Sequence, residues 1–219
     1  MKKLLLFTAI LFLFLSSQGL SQFRLKLGPN TGMNFNLATG SDVEETANGF
    51  GFFLGGTVDM EFTPTVGLIA NMQFYDNRSV SSSTEGTVQG ISYTVDASTS
   101  LAYFMIEPLF KLSLPGSGFY FVGGPCVGFN IEGSIEASIS SENDLVTFQD
   151  GSTKQKSTLR NTLTRFELKI GSGYDFVLSP LVTVAPQLTF GYGITKVVEN
   201  VESRVLTIQL QGAVKFSLM

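Results

Sequence analysis

From residue 23 onward the chain alternates. Apolar residues recur at every second position in run after run, and clusters of Gly, Pro, Asn, Asp and Ser separate the runs. That period of two is the signature of β-strands. It predicts eight strands, at 23–37, 49–63, 66–76, 99–114, 118–132, 161–178, 181–196 and 204–218. Helical spacing is missing, and after residue 22 no apolar run approaches the roughly 18 residues of a membrane-spanning helix. The connections alternate in length. Short ones at 63–65, 115–118 and 178–181 each contain a proline, whereas 38–48, 77–98, 133–160 and 197–203 are long and polar. The segment 133–160, rich in Ser, Thr and charge, is expected to be a mobile surface loop.

Each predicted strand has one apolar and one polar face. The last places Leu206, Ile208, Leu210, Val214, Phe216 and Leu218 opposite Thr207, Gln209, Gln211, Lys215 and Ser217. In the stretch "YFMIEPLFKLSL", Glu107 and Lys111 share a face with Tyr103, Met105 and Leu109, while Phe104, Ile106, Phe110 and Leu112 form the other. Alternation alone does not say which face is inside, and a soluble barrel or sandwich would bury the apolar one. Strand length and charge point the other way. Runs of 11 to 18 residues are long against the usual five or six and suit a tilted membrane span with an extension.

The polar face carries Arg24, Lys26, Lys111, Arg165, Lys169 and Lys215 against Asp59, Glu61, Glu107, Glu132, Glu167 and Asp175. Six cations meet six anions, the balance a closed, desolvated interior requires. The expected fold is therefore all-β: an eight-stranded antiparallel transmembrane β-barrel with short periplasmic turns and long extracellular loops. These twelve residues form its lumen charge network. Pro29, Pro108, Pro125 and Pro186 fall inside strands on the outward face, where bulges or locally opened pairing are expected.

The N-terminus sets the compartment. Lys2 and Lys3 precede an apolar run from Leu4 to Leu15 and then small polar residues. This pattern reads as a secretory signal peptide over 1–21, cleaved after Ser21, with the barrel domain over 22–219. No cysteine stands directly after the cleavage point, so the signal is not of the lipoprotein type. Without Lys2 and Lys3 the net charge moves from −4 to −6. An acidic chain without a basic stripe argues against nucleic acid. Charged residues make up only 15% of the chain against 43% hydrophobic, which suits a large buried core or a lipid-facing surface. The single cysteine, Cys126, can form neither an internal disulfide nor a cysteine-based metal cluster.

The chain has no histidine, which removes Ser-His, Asp-His and His-metal arrangements together. Asp59 and Glu61 share a face and could in principle do acid–base work, but a structural ion-pair network is the favoured reading. The Gly-rich "GFGFFLGG" at 49–56 precedes no helix and is a poor nucleotide cradle. No catalytic residue, metal or cofactor is expected.

"FRLKLGPNTGMNF", "YFMIEPLFKLSL", "FYFVGGPCVGFNIEG" and "FELKIGSGYDF" together resemble the PorT-like outer-membrane β-barrel family, with its signal sequence and its Gly-and-aromatic strands. The resemblance covers essentially the mature chain, including Ile106-Glu107-Pro108-Leu109 followed by a Gly-rich strand. It implies an OmpA-like small barrel in the Gram-negative outer membrane, reached by export through the periplasm. Roles in that family are mostly unassigned, and one relative is tied to protein secretion.

Eight strands leave an interior just wide enough for side chains. The expected role is therefore non-enzymatic: structural, surface-recognition or envelope-assembly. A narrow porin-like channel for ions or small solutes, or an accessory part in secretion, are the alternatives. Expected partners are outer-membrane lipid and lipopolysaccharide, and an extracellular ligand or envelope protein through loops 38–48, 77–98 and 133–160. The barrel is expected to be monomeric.

Overall fold

The computed structural model describes residues 23–39, 47–142, 145–159, 163–196 and 204–218. The expected signal peptide over 1–21 lies outside them, as do most of 38–48 and all of 197–203. Ten strands are described: β1 (Arg24–Thr39), β2 (Asn48–Glu61), β3 (Val66–Val88), β4 (Ile91–Ser113), β5 (Phe119–Ser141), β6 (Lys154–Thr158), β7 (Arg165–Tyr174), β8 (Phe176–Ser179), β9 (Val182–Gly193) and β10 (Arg204–Ser217).

Eight of these form a closed ring. The order runs β1-β2-β3-β4-β5-β7-β9-β10, every pair antiparallel, and β10 returns to β1 from Lys26↔Ser217 to Thr39↔Arg204. No edge is left at the level of the ring, which is what a membrane-spanning sheet requires. The remaining two strands are additions: β6 pairs with β5 above the ring, and β8 pairs with β9 at the short-turn end.

Lipid-facing and lumen-facing positions alternate as binary patterning demands. Phe110, Leu112, Leu168, Ile170, Phe190 and Leu210 are more than half exposed on the outside, while Asn34, Asp59, Glu107 and Gln209 are buried inside. Aromatic pairs rim both ends of the apolar jacket. Phe35–Phe50, Phe52–Tyr75 and Phe74–Phe104 lie toward the long connections, and Phe23–Phe62, Phe119–Phe121 and Tyr174–Phe176 toward the short turns. Paired girdles of this kind mark the two membrane–water interfaces of a transmembrane barrel.

The outward prolines coincide with lapses in the ladder. Pairing of β1 with β10 jumps from Leu27↔Phe216 to Asn30↔Ala213 across Pro29. Pairing of β4 with β5 jumps from Ile106↔Val127 to Phe110↔Gly123 across both Pro108 and Pro125. The β7–β9 ladder ends at Gly173↔Gln187, beside Pro186. A residue without an N–H leaves its neighbour's carbonyl unpaired, so the gaps follow from the sequence.

The long connections differ from expectation. Residues 77–98 form no loop: β3 and β4 stay paired from Asn77↔Ala102 to Val88↔Ile91. The hairpin closes at Gln89 and Gly90, both with positive φ of 51° and 82°, as a tight two-residue hairpin turn needs. The segment 133–160 is not wholly a loop either. Its first part extends β5 to Ser141, and β6 pairs with that extension from Ser134↔Thr158 to Ser138↔Lys154. Ser and Thr clusters suit loops, but Thr is also a good strand former on an exposed face. The predicted strand 161–178 is in turn split into β7 and β8 at Asp175.

Candidate functional site

Two regions carry the polar chemistry: the lumen, and the sheet that projects beyond it.

Inside the ring, charges gather in two neutral groups along the axis. Near the short turns, Lys111 Nζ lies 2.8 Å from Asp59, 3.3 Å from Glu61 and 2.7 Å from Asp175. Lys215 reaches Asp59 at 2.6 Å and Asp175 at 3.0 Å, and Lys26 reaches Glu61 at 2.8 Å. The Tyr120 ring lies under both ammonium groups, 4.7 Å from Lys111 Nζ and 5.3 Å from Lys215 Nζ, a further cation–π attraction. Asp59, Glu61 and Asp175 converge within 4.8 Å, the one carboxylate cluster of metal-binding size among the described residues. The Lys111 ammonium already bonds all three, so the positive charge such a cluster needs is supplied by the chain.

Further along, Arg78 bonds Asp76 at 2.7 Å and Glu167 at 2.8 Å. Arg165 also pairs with Glu167, and Lys169 pairs with Glu107. Amides extend this second group: Asn71 Nδ2 donates to Glu107 at 3.2 Å, Asn30 Nδ2 donates to Asn71 at 3.2 Å, and Lys169 donates to Gln209 at 2.5 Å. Three cations face three anions in each group.

Of the twelve residues expected in this network, Lys26, Asp59, Glu61, Glu107, Lys111, Arg165, Glu167, Lys169, Asp175 and Lys215 lie in it. Arg24 and Glu132 do not. Arg24 has the inward phase but sits at the first position of β1, exposed at the rim of the short-turn mouth. Glu132 is exposed because β5 bulges: Tyr103 pairs with Asn130 while Ala102 pairs with Glu132, so Ile131 is an extra residue and flips the phase. Asn130 Nδ2 fills that kink by donating to the carbonyls of Ala102 and Glu132.

Sequence reasoning missed Asp76 and Arg78. A bulge in β3, between Gln73↔Met105 and Asp76↔Tyr103, turns Phe74 and Tyr75 both outward and brings Asp76 and Arg78 inward. Two consecutive aromatics breaking strict alternation were the available signal. The exchange is even: Arg78 takes the place of Arg24 and Asp76 that of Glu132, so the lumen remains six against six.

Past the bulges the faces invert. Strand β4 keeps one phase throughout, with Glu107, Lys111, Val95 and Tyr93 all on its inner side. Within the ring that side is polar and the outer side apolar. In the projecting part the inner side carries Ile91, Tyr93, Val95 and Ala97, joined by Ile135, Ala137 and Ile139 of β5. Gly86 gives room for the Tyr93 ring, since a Cβ there would lie 2.5 Å from it. The outer side becomes Ser92, Thr94, Asp96, Ser98 and Ser100, with Ser81 Oγ donating to Ser98 at 3.2 Å. Such a sheet faces water outward, so lipid ends at the girdle of Phe74, Tyr75 and Phe104.

Strands β3 to β6 thus form a four-stranded gutter standing over the barrel. A cleft of about 670 Å³ runs along it, lined on the inner side by Ser82, Ala97, Ala137 and Gln155. On the outer side Lys156 bonds Glu136 at 2.5 Å. That bond and the ammonium charge hold the Glu136 carboxyl below its ordinary range, and the same bond with the carboxylate charge raises Lys156 above its own.

A closed antiparallel ring with a charged interior, an apolar jacket and two aromatic girdles defines the class of small transmembrane β-barrels. No family model matches the chain, and no curated protein matches it. Solved structures similar to it include Ail, the attachment invasion locus protein of Yersinia pestis, in complex with the heparin analogue sucrose octasulfate. It has 14% identity and a TM-score of 0.45, covering 88% of this chain and 99% of that one. Neisserial surface protein A has 13% identity and a TM-score of 0.39, covering 91% and 99%. The outer membrane protein OprG from Pseudomonas aeruginosa has 12% and 0.37, covering 90% and 95%. At these values the fold rests on the ring closure of this chain itself.

Proposed function

We propose that this protein is a non-conducting, non-enzymatic barrel of the Gram-negative outer membrane whose role is carried by the projecting gutter, in surface recognition or envelope assembly. One observation carries the reading: the lumen is filled by twelve mutually paired charges, and the polar surface left over stands outside the membrane. Tight ion pairing opposes permeation, because a passing ion would have to break buried contacts at both levels. The same pairing engages Asp59 and Glu61 with lysines, and the chain holds no histidine to serve as a base.

The short turns lie on the periplasmic side and the gutter outside the cell, as is usual for this class. The PorT-like resemblance of the strands adds an accessory role in secretion as the finer reading. Planar-bilayer recording of purified, folded protein is the test. The expected result is a silent membrane, and discrete single-channel currents would overturn the reading in favour of a narrow pore.

A further inference from the structure

The gutter has two lateral edges, and they are built differently. On the β6 side, Lys154–Thr158 presents Lys154 and Lys156, the residues by which native sheets discourage strand addition. On the β3 side, pairing with β2 reaches no further than Asn48↔Ser81. Among the described residues, 82–88 pair with β4 alone. This stretch reads Ser-Ser-Thr-Glu-Gly-Thr-Val. It contains no lysine, arginine or proline and only one charge, Glu85. Its inner side starts at Ser82 in the cleft and runs on through Thr84, Gly86 under the Tyr93 ring and Val88.

We propose that residues 82–88 of β3 are a strand-addition site for an extended polypeptide with small apolar side chains toward the gutter and a basic side chain opposite Glu85. This rests on the recognition role proposed above and names the chemistry of the partner. Backbone groups of an open edge supply the hydrogen bonds of β-augmentation, and alternate side chains supply selectivity.

Glu85 decides between occupants. It is the midpoint of the free stretch, so a second copy pairing antiparallel in full overlap would set Glu85 directly against Glu85, and like charges directly opposite destabilise a pair. The neighbouring outer side adds Asp96, paired with Ser83, and carries no cation from Ser79 to Ser100. Residues 40–46, which join β1 to β2 in the sequence, bear Asp42, Glu44 and Glu45 and share its sign. The acidic outer side therefore selects a foreign strand bearing Lys or Arg.

The test uses the full-length folded barrel in nanodiscs and a fluorescent peptide alternating valine and lysine, matched in length to 82–88. Binding is expected, weakened at least about tenfold (about 1.4 kcal/mol) when alternate peptide amides are N-methylated along one edge. Thr84→Lys, which sets a charge inward on the edge, should weaken binding similarly, and Glu85→Lys should weaken it for the lysine peptide alone. Ser157→Lys on the β6 edge should leave binding unchanged. Heat-modifiable gel mobility verifies that each variant is folded. Absence of binding, indifference to N-methylation or to Thr84→Lys, or loss through Ser157→Lys would each overturn the proposal. None of these outcomes bears on conductance, which tests the non-conducting barrel separately.

Discussion

The barrel wall and the gutter are made of the same strands and follow opposite rules. Along β4, Phe110, Ile106 and Phe104 point outward where the chain meets lipid, and Ser100, Ser98 and Asp96 point outward beyond it. The strand never changes phase; only its composition does. What inverts is the solvent on each side. In lipid the polar face must find its partners internally, so the lumen is a set of neutral ion-paired groups. In water the apolar face must be turned inward, so the gutter hides valine and isoleucine and shows serine. Polar pairing is obligatory in one region and optional in the other.

The largest expected effect lies in the lumen. Glu107→Ala takes from the fully buried Lys169 ammonium its closest carboxylate, leaving Glu167 at 3.9 Å, and should cost about 3 kcal/mol, the low end of the range for breaking one side of a buried pair. Equilibrium unfolding in urea from lipid bilayers measures it, and an unchanged midpoint would mean that the pair carries no stability. The matching change in the gutter, Glu136→Ala, removes the exposed partner of Lys156 and should leave the global midpoint where it was.

The boundary itself can be tested along one strand. Phe110→Arg sets a cation on the lipid face and should cost about 2–4 kcal/mol if near the bilayer midplane. Ser98→Arg, on the same outward side of β4, should cost nothing measurable. Equal penalties at the two positions would contradict the inversion and place the gutter in lipid.

Much of this was legible in the sequence. Period-two alternation gave eight strands and both faces, and the four prolines marked where the ladder opens. The two bulges were harder to read, the one in β3 marked only by the consecutive Phe74 and Tyr75, and all the errors in the charge network except Arg24 trace to them. One extra residue at Ile131 sends Glu132 out, and the Phe74–Tyr75 pair sends Asp76 and Arg78 in. A phase change leaves little trace in composition, because the residues on either side still alternate. The gutter was hidden for a different reason. Serine and threonine serve both turns and exposed strands, and only the partner strand decides between them.

The smallest effect concerns the β6 edge. In the folded gutter, Glu136 titrates below the ordinary carboxylate value, first because Lys156 hydrogen-bonds its charged form and then through that charge, with Lys154 adding to it. A depressed acid contributes stability that is fully present above its unfolded value, near ~4.3, and is lost as pH falls through the folded value. Lys156 is raised by the same contact, with help from Glu132. Its contribution is fully present below the unfolded lysine value, near ~10.4, and is lost as pH rises through the folded value. Docking of β6 on β5 should therefore be firmest between these limits and loosen at both extremes. NMR shifts of the β6 amides, referenced to those of β10 in the barrel, measure it. Both groups are exposed to solvent, so salt should weaken the effect, while the lumen pairs of the barrel keep their strength. A β6 response that is flat with pH at low salt would show that its docking rests on backbone pairing alone.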